Sequence, residues 1–407
     1  MQRMFHDYYS KSSFSDDSIS MIDKREFGFL LFDGLMLRHK SFERCSELSK
    51  FLSDLVPSDA YLSCAYYERP RAEMDRKDWL GADLIFDIDA DHIPTSCGKI
   101  HDSWVCSDCL FSGKGVTPKE CPSCGSRKFK TKVWHCEECL ESTKTETVKL
   151  LNMLTEDLGF SEKDVRVFFS GRRGYHVTVE NKAVSTLDAV ARKEIVDYVS
   201  GLGLDVAYHG ITKRNLEGTL NSQAVPLSRY SWSKRLKTGI QTFILNAEEE
   251  NLNEIGLKRN IAETILQNKD AILKNLVTRD AWNAVRGVGF KTWKKIAEHV
   301  AKLQSSKIDT VVTTDTHRLI RLVDTLHGKT GMKKVEFPIS TIDSFDPLKS
   351  AIAFKTGVTT LFVHDAPEFR LGDEVYGPFE NQKDELPLAA AMLLTCNGRA
   401  EVIEKNV

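Results

Sequence analysis

Seven of the ten cysteines in this 407-residue chain fall between Cys97 and Cys139. That clustering constrains the fold more than any other feature, because thiols so spaced organise a chain around metal. Cys106-x-x-Cys109 and Cys121-x-x-Cys124 stand eleven residues apart, the spacing of a zinc ribbon, and Pro122 and Gly125 suit a tight knuckle turn. Cys136-x-x-Cys139 is a third pair, and Cys97 with His101 makes a fourth. Seven cysteines and one histidine suffice for two tetrahedral zinc sites with no open position, so they support folding and carry no reaction. We expect Cys106, Cys109, Cys121 and Cys124 on one zinc, and Cys97, His101, Cys136 and Cys139 on the other. Unpaired surface thiols are the bland alternative. A redox CxxC is disfavoured, because no thioredoxin-like βαβ unit surrounds the pairs. Cys45, Cys64 and Cys396 are scattered singly, which points to a reducing, intracellular setting.

Around this module the chain reads as an ordinary folded protein, long enough for two or three domains. Residues 96–140 are rich in Cys, Lys, Gly and Ser and poor in core residues, so they form an inserted module between 1–95 and 141–407. The stretch REFGFLLFDGLMLRHKSF (25–42) predicts a hairpin turning at Asp33-Gly34. Val148, Leu151, Leu154 and Leu158 repeat at helix spacing, with Gly159 to close the helix. DVRVFFSGRRGYHVTVE (164–180) predicts two strands around a Gly-Arg-Arg-Gly turn. Residues 187–203 and 247–304 read as mainly helical, and short strands and loops return from about 308. The fold class is mixed α/β with a zinc module. The N-terminus is too polar for a secretory signal, and LPLAAAMLLTC (386–396) is far short of the roughly 20 residues that span a bilayer, so no membrane association is expected. With 56 Lys+Arg against 58 Asp+Glu the formal net charge is −2, so any nucleic-acid surface must be local.

LIFDIDAD (84–91) has the apolar weight of a buried strand, yet Asp87 and Asp89 share one face about 6–7 Å apart. Like charges so placed repel, and either water or bound cations must offset that. A solvent-facing edge strand is the bland reading, but Ile85 lies on the same face. Two divalent ions bridged by carboxylates would relieve the repulsion and serve in-line displacement at phosphorus.

Three further motifs bear on phosphate chemistry. Ser170-Gly-Arg-Arg-Gly-Tyr-His176 sets Arg172 and Arg173 on a tight turn, either a polyphosphate clamp or a solvated turn. His327-Gly-Lys-Thr-Gly331 is no Walker loop, because Val323 occupies the position of the required glycine; Lys329 is a point-charge contact or a plain loop residue. RGVGFKTWKKIAEHVAKL (286–303) resembles a helix-hairpin-helix grip on DNA, but Trp293, Ile296, Val300 and Leu303 explain it as an amphipathic helix, the favoured reading. Carboxylates on a strand, an Arg-Arg turn and a His-Gly-Lys loop together point to metal-assisted nucleotidyl transfer.

FDID, SGRRGYHV and LHGK, in this order and with a zinc module between the first two, resemble the catalytic small subunit of archaeal and eukaryotic-type DNA primase. YYS (8–10), KREFGF (24–29), RHKSF (38–42), RLIRL (318–322) and VYGPFENQKDELPL (375–388) extend the similarity along most of the chain. Tyr175 and the HGK form point to the archaeal branch. The resemblance implies a primase-type fold: a mixed central sheet flanked by helices, forming a catalytic domain of 1–95 and 141–407, plus the inserted zinc-binding module. It implies a cytoplasmic nucleotidyltransferase of DNA replication. Such an enzyme joins ribonucleotides, and in some members deoxynucleotides, on single-stranded DNA with Mg²⁺ or Mn²⁺, beside a primase large subunit. By matching motifs, Asp87 and Asp89 would be metal ligands. Ser170, Arg172, Arg173, His176, His327 and Lys329 would bind the incoming triphosphate, assisted by Arg38. The family's third aspartate stands well upstream of the His-x-Lys, which favours Asp309, expected on a strand opened by Val311-Val312-Thr313-Thr314. Asp315 is expected to cap a helix carrying Leu319, Ile320 and Leu322. The departure is the zinc region: relatives resemble a single compact site ending in CxxCL, here Cys136 to Leu140, and Cys106 to Cys124 looks like an extra ribbon nested inside.

Two other functions fit part of this pattern. One is a primase-polymerase of repair or plasmid replication; the other is a zinc-ribbon nucleic-acid-binding subunit with a dead catalytic site. The absence of a fused helicase or ligase domain counts against the first, and the intact acidic and basic motifs count against the second.

Overall fold

The computed structural model describes residues 1–15, 18–115, 117–134, 136–211, 231–278 and 287–403. The chain divides into two compact units, Met1–Thr147 with Ser161–Lys193 and Lys307–Val407, and Val148–Phe160 with Glu194–Ser306.

In the first unit the predicted hairpin forms from β1 (Phe27–Leu30) and β2 (Met36–Lys40). β3 (Asp59–Ser63) pairs with the free side of β1, and a late strand, Leu319–Arg321, pairs antiparallel with β3 to complete a four-stranded sheet. Phe27 and Phe29 are fully buried on one face of β1. They meet the rings of Phe42 and Phe51 and the helix Cys45–Leu55, whose Cys45, Leu48 and Leu52 recur at helical spacing. Truncating either Phe to Ala would cost about 3–5 kcal/mol.

Two short strands, β4 (Ala65–Tyr67) and β5 (Trp79–Ala82), lead into β6 (Leu84–Asp89), which belongs to a second four-stranded sheet. The inserted module then supplies β7 (Ser103–Cys106), β8 (Ser112–Lys114) and β9 (Phe129–Lys132), a sheet of its own. β10 (Val165–Phe169) and β11 (Gly174–Val179) are the predicted hairpin; β11 pairs with β6, and β10 pairs with β13 (Val335–Phe337). The Leu319–Arg321 strand is thus β12. Leu84, Phe86, Ile88, Tyr175, Val177 and Val179 are all buried and share one face, so an acidic motif can occupy the other without costing the sheet its core.

The remainder of the unit holds the sheet of β14 (Val358–Ala366), β17 (Phe379–Pro387) and β18 (Ala400–Val402), and the pair β15 (Phe369–Leu371) and β16 (Glu374–Tyr376). The apolar stretch at 386–396 is mostly the buried helix Leu388–Cys396, and among the described residues no helix is long and apolar enough to cross a membrane.

In the second unit, helices at Ser231–Leu245, Glu249–Glu254, Arg259–Gln267, Lys269–Thr278 and Phe290–Gln304 account for the expected helical segment. Residues 279–286, including Arg286 of the RGVG motif, lie outside the described residues. Trp293, Ile296 and Val300 are buried, as an amphipathic helix requires, whereas Leu303 is exposed.

Two local expectations are corrected. Asp309 does not open a strand: Thr310–Thr314 is a helix and Asp309 is its N-cap, accepting a hydrogen bond from Val311 N at 3.0 Å. Asp315 caps no following helix, because Leu319–Arg321 is β12; its Oδ1 accepts from His317 N at 2.9 Å in a local turn. Pairing with β3 decided the second case and the Asp309 cap the first, over side-chain propensity.

Candidate active site

The site is built on the polar face of the second sheet. Gly174 lies opposite Asp89, and His176 opposite Asp87. A Cβ at Gly174 would run into the Ile88 carbonyl, so only glycine lets β11 lie this close to the acidic strand. His176 Nε2 is 3.5 Å from Asp87 Oδ1. Burial, with Lys334 and Arg321 nearby, holds this histidine well below its usual range, so the imidazole is neutral.

Asp309 reaches the same place by another route. Its backbone N–H donates to the Asp87 carbonyl at 2.8 Å, which docks the helix cap on β6. Asp87, Asp89 and Asp309 are each half-buried, and the backbone bond brings Asp309 beside Asp87, although among the described residues their oxygens do not close into a compact metal-holding group as the cysteine clusters do. Burial pushes the Asp87 carboxyl up to about 7, and the charges of Asp89 and Asp309 add to the rise. Asp89 is also raised, by burial and then by Asp91. These are oxygen donors in mutual repulsion, and hard divalent cations fit that set.

The SGRRG turn closes one side. Gly171 has φ +85°, a left-handed conformation, and its Cα faces His327 Cβ so closely that a Cβ there would stand 3.3 Å away. Thr330 Oγ1 donates to the Gly171 carbonyl at 2.7 Å, fastening the His-Gly-Lys loop to the turn. Gly328 N donates to Asp59 Oδ1 at 3.0 Å, and Arg321 donates to the same oxygen at 2.6 Å. Lys329 N donates to His327 Nδ1 at 3.1 Å, which leaves Nε2 as the protonated nitrogen. The Lys329 side chain is exposed.

The two arginines differ. Arg172 is half-buried, with a loose 3.5 Å contact to Asp91. Arg173 is 1% exposed and donates to Asp91 at 2.9 Å, to Asp102 at 3.1 Å and to Cys139 Sγ at 3.4 Å. Ser170 is buried and its Oγ accepts from Arg172 N at 3.4 Å. Arg38 stands on β2, its guanidinium bidentate on the buried Glu26 at 2.9 and 3.2 Å.

Both cysteine clusters form as expected. Cys97, His101, Cys136 and Cys139 bring their ligand atoms within 4.8 Å of one another, and so do Cys106, Cys109, Cys121 and Cys124. His101 Nδ1 is bound to Asp102 Oδ1 at 2.7 Å, which turns Nε2 toward the thiols as a metal ligand requires. The Cys₃His and Cys₄ donor sets suit a soft, tetrahedral metal ion.

Asp59, Asp91, Asp102 and Lys334 had no place in the sequence reading. Asp91 carried a signal, since it continues the alternation of Asp87 and Asp89. Lys334 carried none: it is buried beneath the site, donates to the Arg321 carbonyl at 2.8 Å, and is pushed down to about 7 by burial, Arg321 and Arg166.

A family model for the DNA primase small subunit matches residues 130–339, which hold the arginine turn, Asp309 and the His-Gly-Lys loop. The chain belongs to the archaeal DNA primase small subunits. It is 32% identical to the DNA primase small subunit PriS of Methanothrix thermoacetophila, over 99% of this chain and 98% of that protein. It is 30% identical to PriS of Nitrosopumilus maritimus, over 93% and 91%, and 31% identical to PriS of Thermoplasma volcanium, over 99% and 97%. Among primase small subunits, then, this one carries two cysteine clusters, the Cys106–Cys124 set nested between the halves of the other.

Proposed function

We propose that this chain is the catalytic subunit of a DNA primase, joining ribonucleotides on single-stranded DNA without a pre-existing primer. The observation that carries the reading is Asp87 and Asp89 on one strand face opposite His176 and Gly174, with Asp309 docked on Asp87 and the His-Gly-Lys loop packed on the arginine turn. Bond formation requires the 3′-oxygen of one nucleotide to attack the α-phosphorus of the next, with pyrophosphate leaving in line. Asp87, Asp89 and Asp309 would hold Mg²⁺ or Mn²⁺, which supplies charge neutralisation at the attacking and leaving oxygens.

The remaining work falls to this chain's own side chains. Arg172 and the exposed Lys329 supply positive charge for the triphosphate, and His327 stands in the same loop to meet the phosphates. The neutral His176 has a buried Nδ1 without a hydrogen-bond partner among the described residues, a polar atom suited to a bound ligand. Ser170 shapes the turn, and Arg173 holds it in place. Arg38, tethered by Glu26, assists from β2. Zinc is the metal proposed for both cysteine clusters, and its role is to fold the module. The enzyme works in the cytoplasm beside a primase large subunit.

The test is incubation of the chain with single-stranded template, Mn²⁺ and labelled ribo- or deoxynucleotides, with no primer. Products begun from nothing support the reading. Extension only from an added primer would make the chain a primase-polymerase, and no product would make it a nucleic-acid-binding subunit.

A further inference from the structure

The Cys106–Cys124 ribbon presents a lysine face that neither metal cluster nor the active site uses. Its three strands run in the order β8-β7-β9, with β7 central. Lys114 and Lys132 both pair with Ser103, one on either side, so these three side chains form one row across the sheet. Ser112 and Lys130 both pair with Val105, the next row on the same face. Lys128 continues the alternation just ahead of β9.

The opposite face is occupied. Trp104 stands there with Gly113, where a Cβ would collide with the indole, and its ring meets Phe129 at 5.4 Å and Phe111 at 6.0 Å. Aromatic packing therefore stiffens the ribbon from behind and leaves the lysine side facing outward.

All four lysines are exposed, and among the described residues none is in an ion pair. The module's acids are engaged elsewhere: Asp102 on His101 and Arg173, Asp108 on Ser126, Glu120 on Arg127, Glu137 on Arg370 and Glu138 on Ser96. In a chain of formal net charge −2, this is a local, one-signed patch. Lys130 and Lys132 stand about 6–7 Å apart along β9, with Lys128 continuing the row just ahead of it, close to the spacing of successive phosphates in an extended single strand. A surface of separate ammonium groups that no carboxylate pairs among the described residues suits a polyanion with regular charge and no demand for base reading.

We propose that this face binds the sugar–phosphate backbone of single-stranded DNA. The choice of polymer rests on the primase reading above; the charge geometry does not. An acidic protein surface is the competing occupant and is an outcome of the test.

The test uses the full chain carrying Lys128→Gln, Lys130→Gln and Lys132→Gln together, with a fluorescein-labelled oligothymidylate as probe. Anisotropy titrations from low to moderate salt should show at least a tenfold loss of affinity at low salt. The log–log salt slope should become shallower by about 2, since each phosphate contact on a single strand contributes about 0.7. Metal content and melting temperature should stay at the wild-type values, because among the described residues the substituted side chains, all exposed, make no ion pair. In primer synthesis, KM for template should rise while kcat at saturating template holds. Unchanged affinity and slope overturn the proposal and leave an acidic protein as the occupant to seek. Weakened binding in a chain that makes no primers would uphold this surface and overturn the primase reading instead.

Discussion

Arg173 and Asp102 form an ion pair of 3.1 Å that ties the turn of the β10–β11 hairpin to the cysteine module. The other oxygen of Asp102 holds His101, and the other arm of Arg173 holds Asp91 two residues beyond Asp89. A side chain expected to grip a triphosphate is, in this structure, a buried strut between the cysteine module and the acidic strand.

The two arginines should therefore separate on mutation. If Arg172 binds the triphosphate, Arg172→Ala should lower kcat/KM for nucleotide roughly ten- to a hundredfold and leave the melting temperature unchanged, since only its loose contact to Asp91 is lost from the fold. Arg173→Ala should cost about 1.5–3 kcal/mol of stability, because it removes a buried guanidinium bound to Asp91, Asp102 and Cys139, although Asp102 keeps His101 and Asp91 keeps Arg172. Arg173→Lys should recover little, as one ammonium cannot serve both carboxylates with the fork geometry. Thermal melts beside nucleotide kinetics check this; equal melting temperatures for the two alanine variants would count against the strut.

Metal analysis should return two zinc ions per chain. Cys121→Ser should lose one while primer synthesis persists, since among the described residues no hydrogen bond or ion pair links the Cys106–Cys124 cluster to the aspartates. Cys139→Ser should lose the other and speed proteolysis near the hairpin, because Arg173 donates to Cys139 as well as to Asp102. One zinc in the wild type would refute the pairing.

Asp309→Asn should abolish synthesis with little change in stability, because Asn caps the Thr310–Thr314 helix as well as Asp does but cannot offer a charged ligand. Asp315→Asn should retain most activity, its role being confined to a local turn. Parallel assays of both variants decide the assignment, and the reverse pattern would overturn it.

The raised Asp87 gives the metal-free protein a pH dependence of known sign. Its folded carboxyl holds a proton to about 7, whereas the unfolded chain releases it near pH 4. That contribution is complete below about pH 4 and is lost as pH rises through 7. Protein free of Mg²⁺ and Mn²⁺ but keeping its zinc should thus melt lower at pH 8 than at pH 6, and Asp87→Asn should remove most of the difference. Mn²⁺ held by Asp87 would expel the proton, so its apparent affinity should climb over the same interval. Melts across pH, with and without Mn²⁺, provide the measurement; identical slopes in wild type and variant would contradict it.

The acidic strand and the arginine hairpin were legible in the sequence because period-2 alternation survives in both, and the cysteine partition because its ligands are nested by spacing. Asp309 was legible as a ligand candidate but misplaced, since Val311 to Thr314 have strand propensity and only the cap and the bond to Asp87 turn them into a helix. The buried role of Arg173 was not legible. Its partner Asp102 lies 71 residues away, and nothing local to SGRRG marks the arginine that faces inward.

The nesting of the two clusters also sets an order of birth. A chain emerging from the ribosome has all four inner ligands, Cys106 to Cys124, before Cys136 exists. Metal taken up there ties off the ribbon while the outer pair, Cys97 and His101, still waits for its other half. The loop that must then be closed is effectively shorter and less costly in entropy. The outer cluster closes only as the Glu137–Asn152 helix begins, so a nascent chain halted just short of Cys136 would carry one metal and no strut.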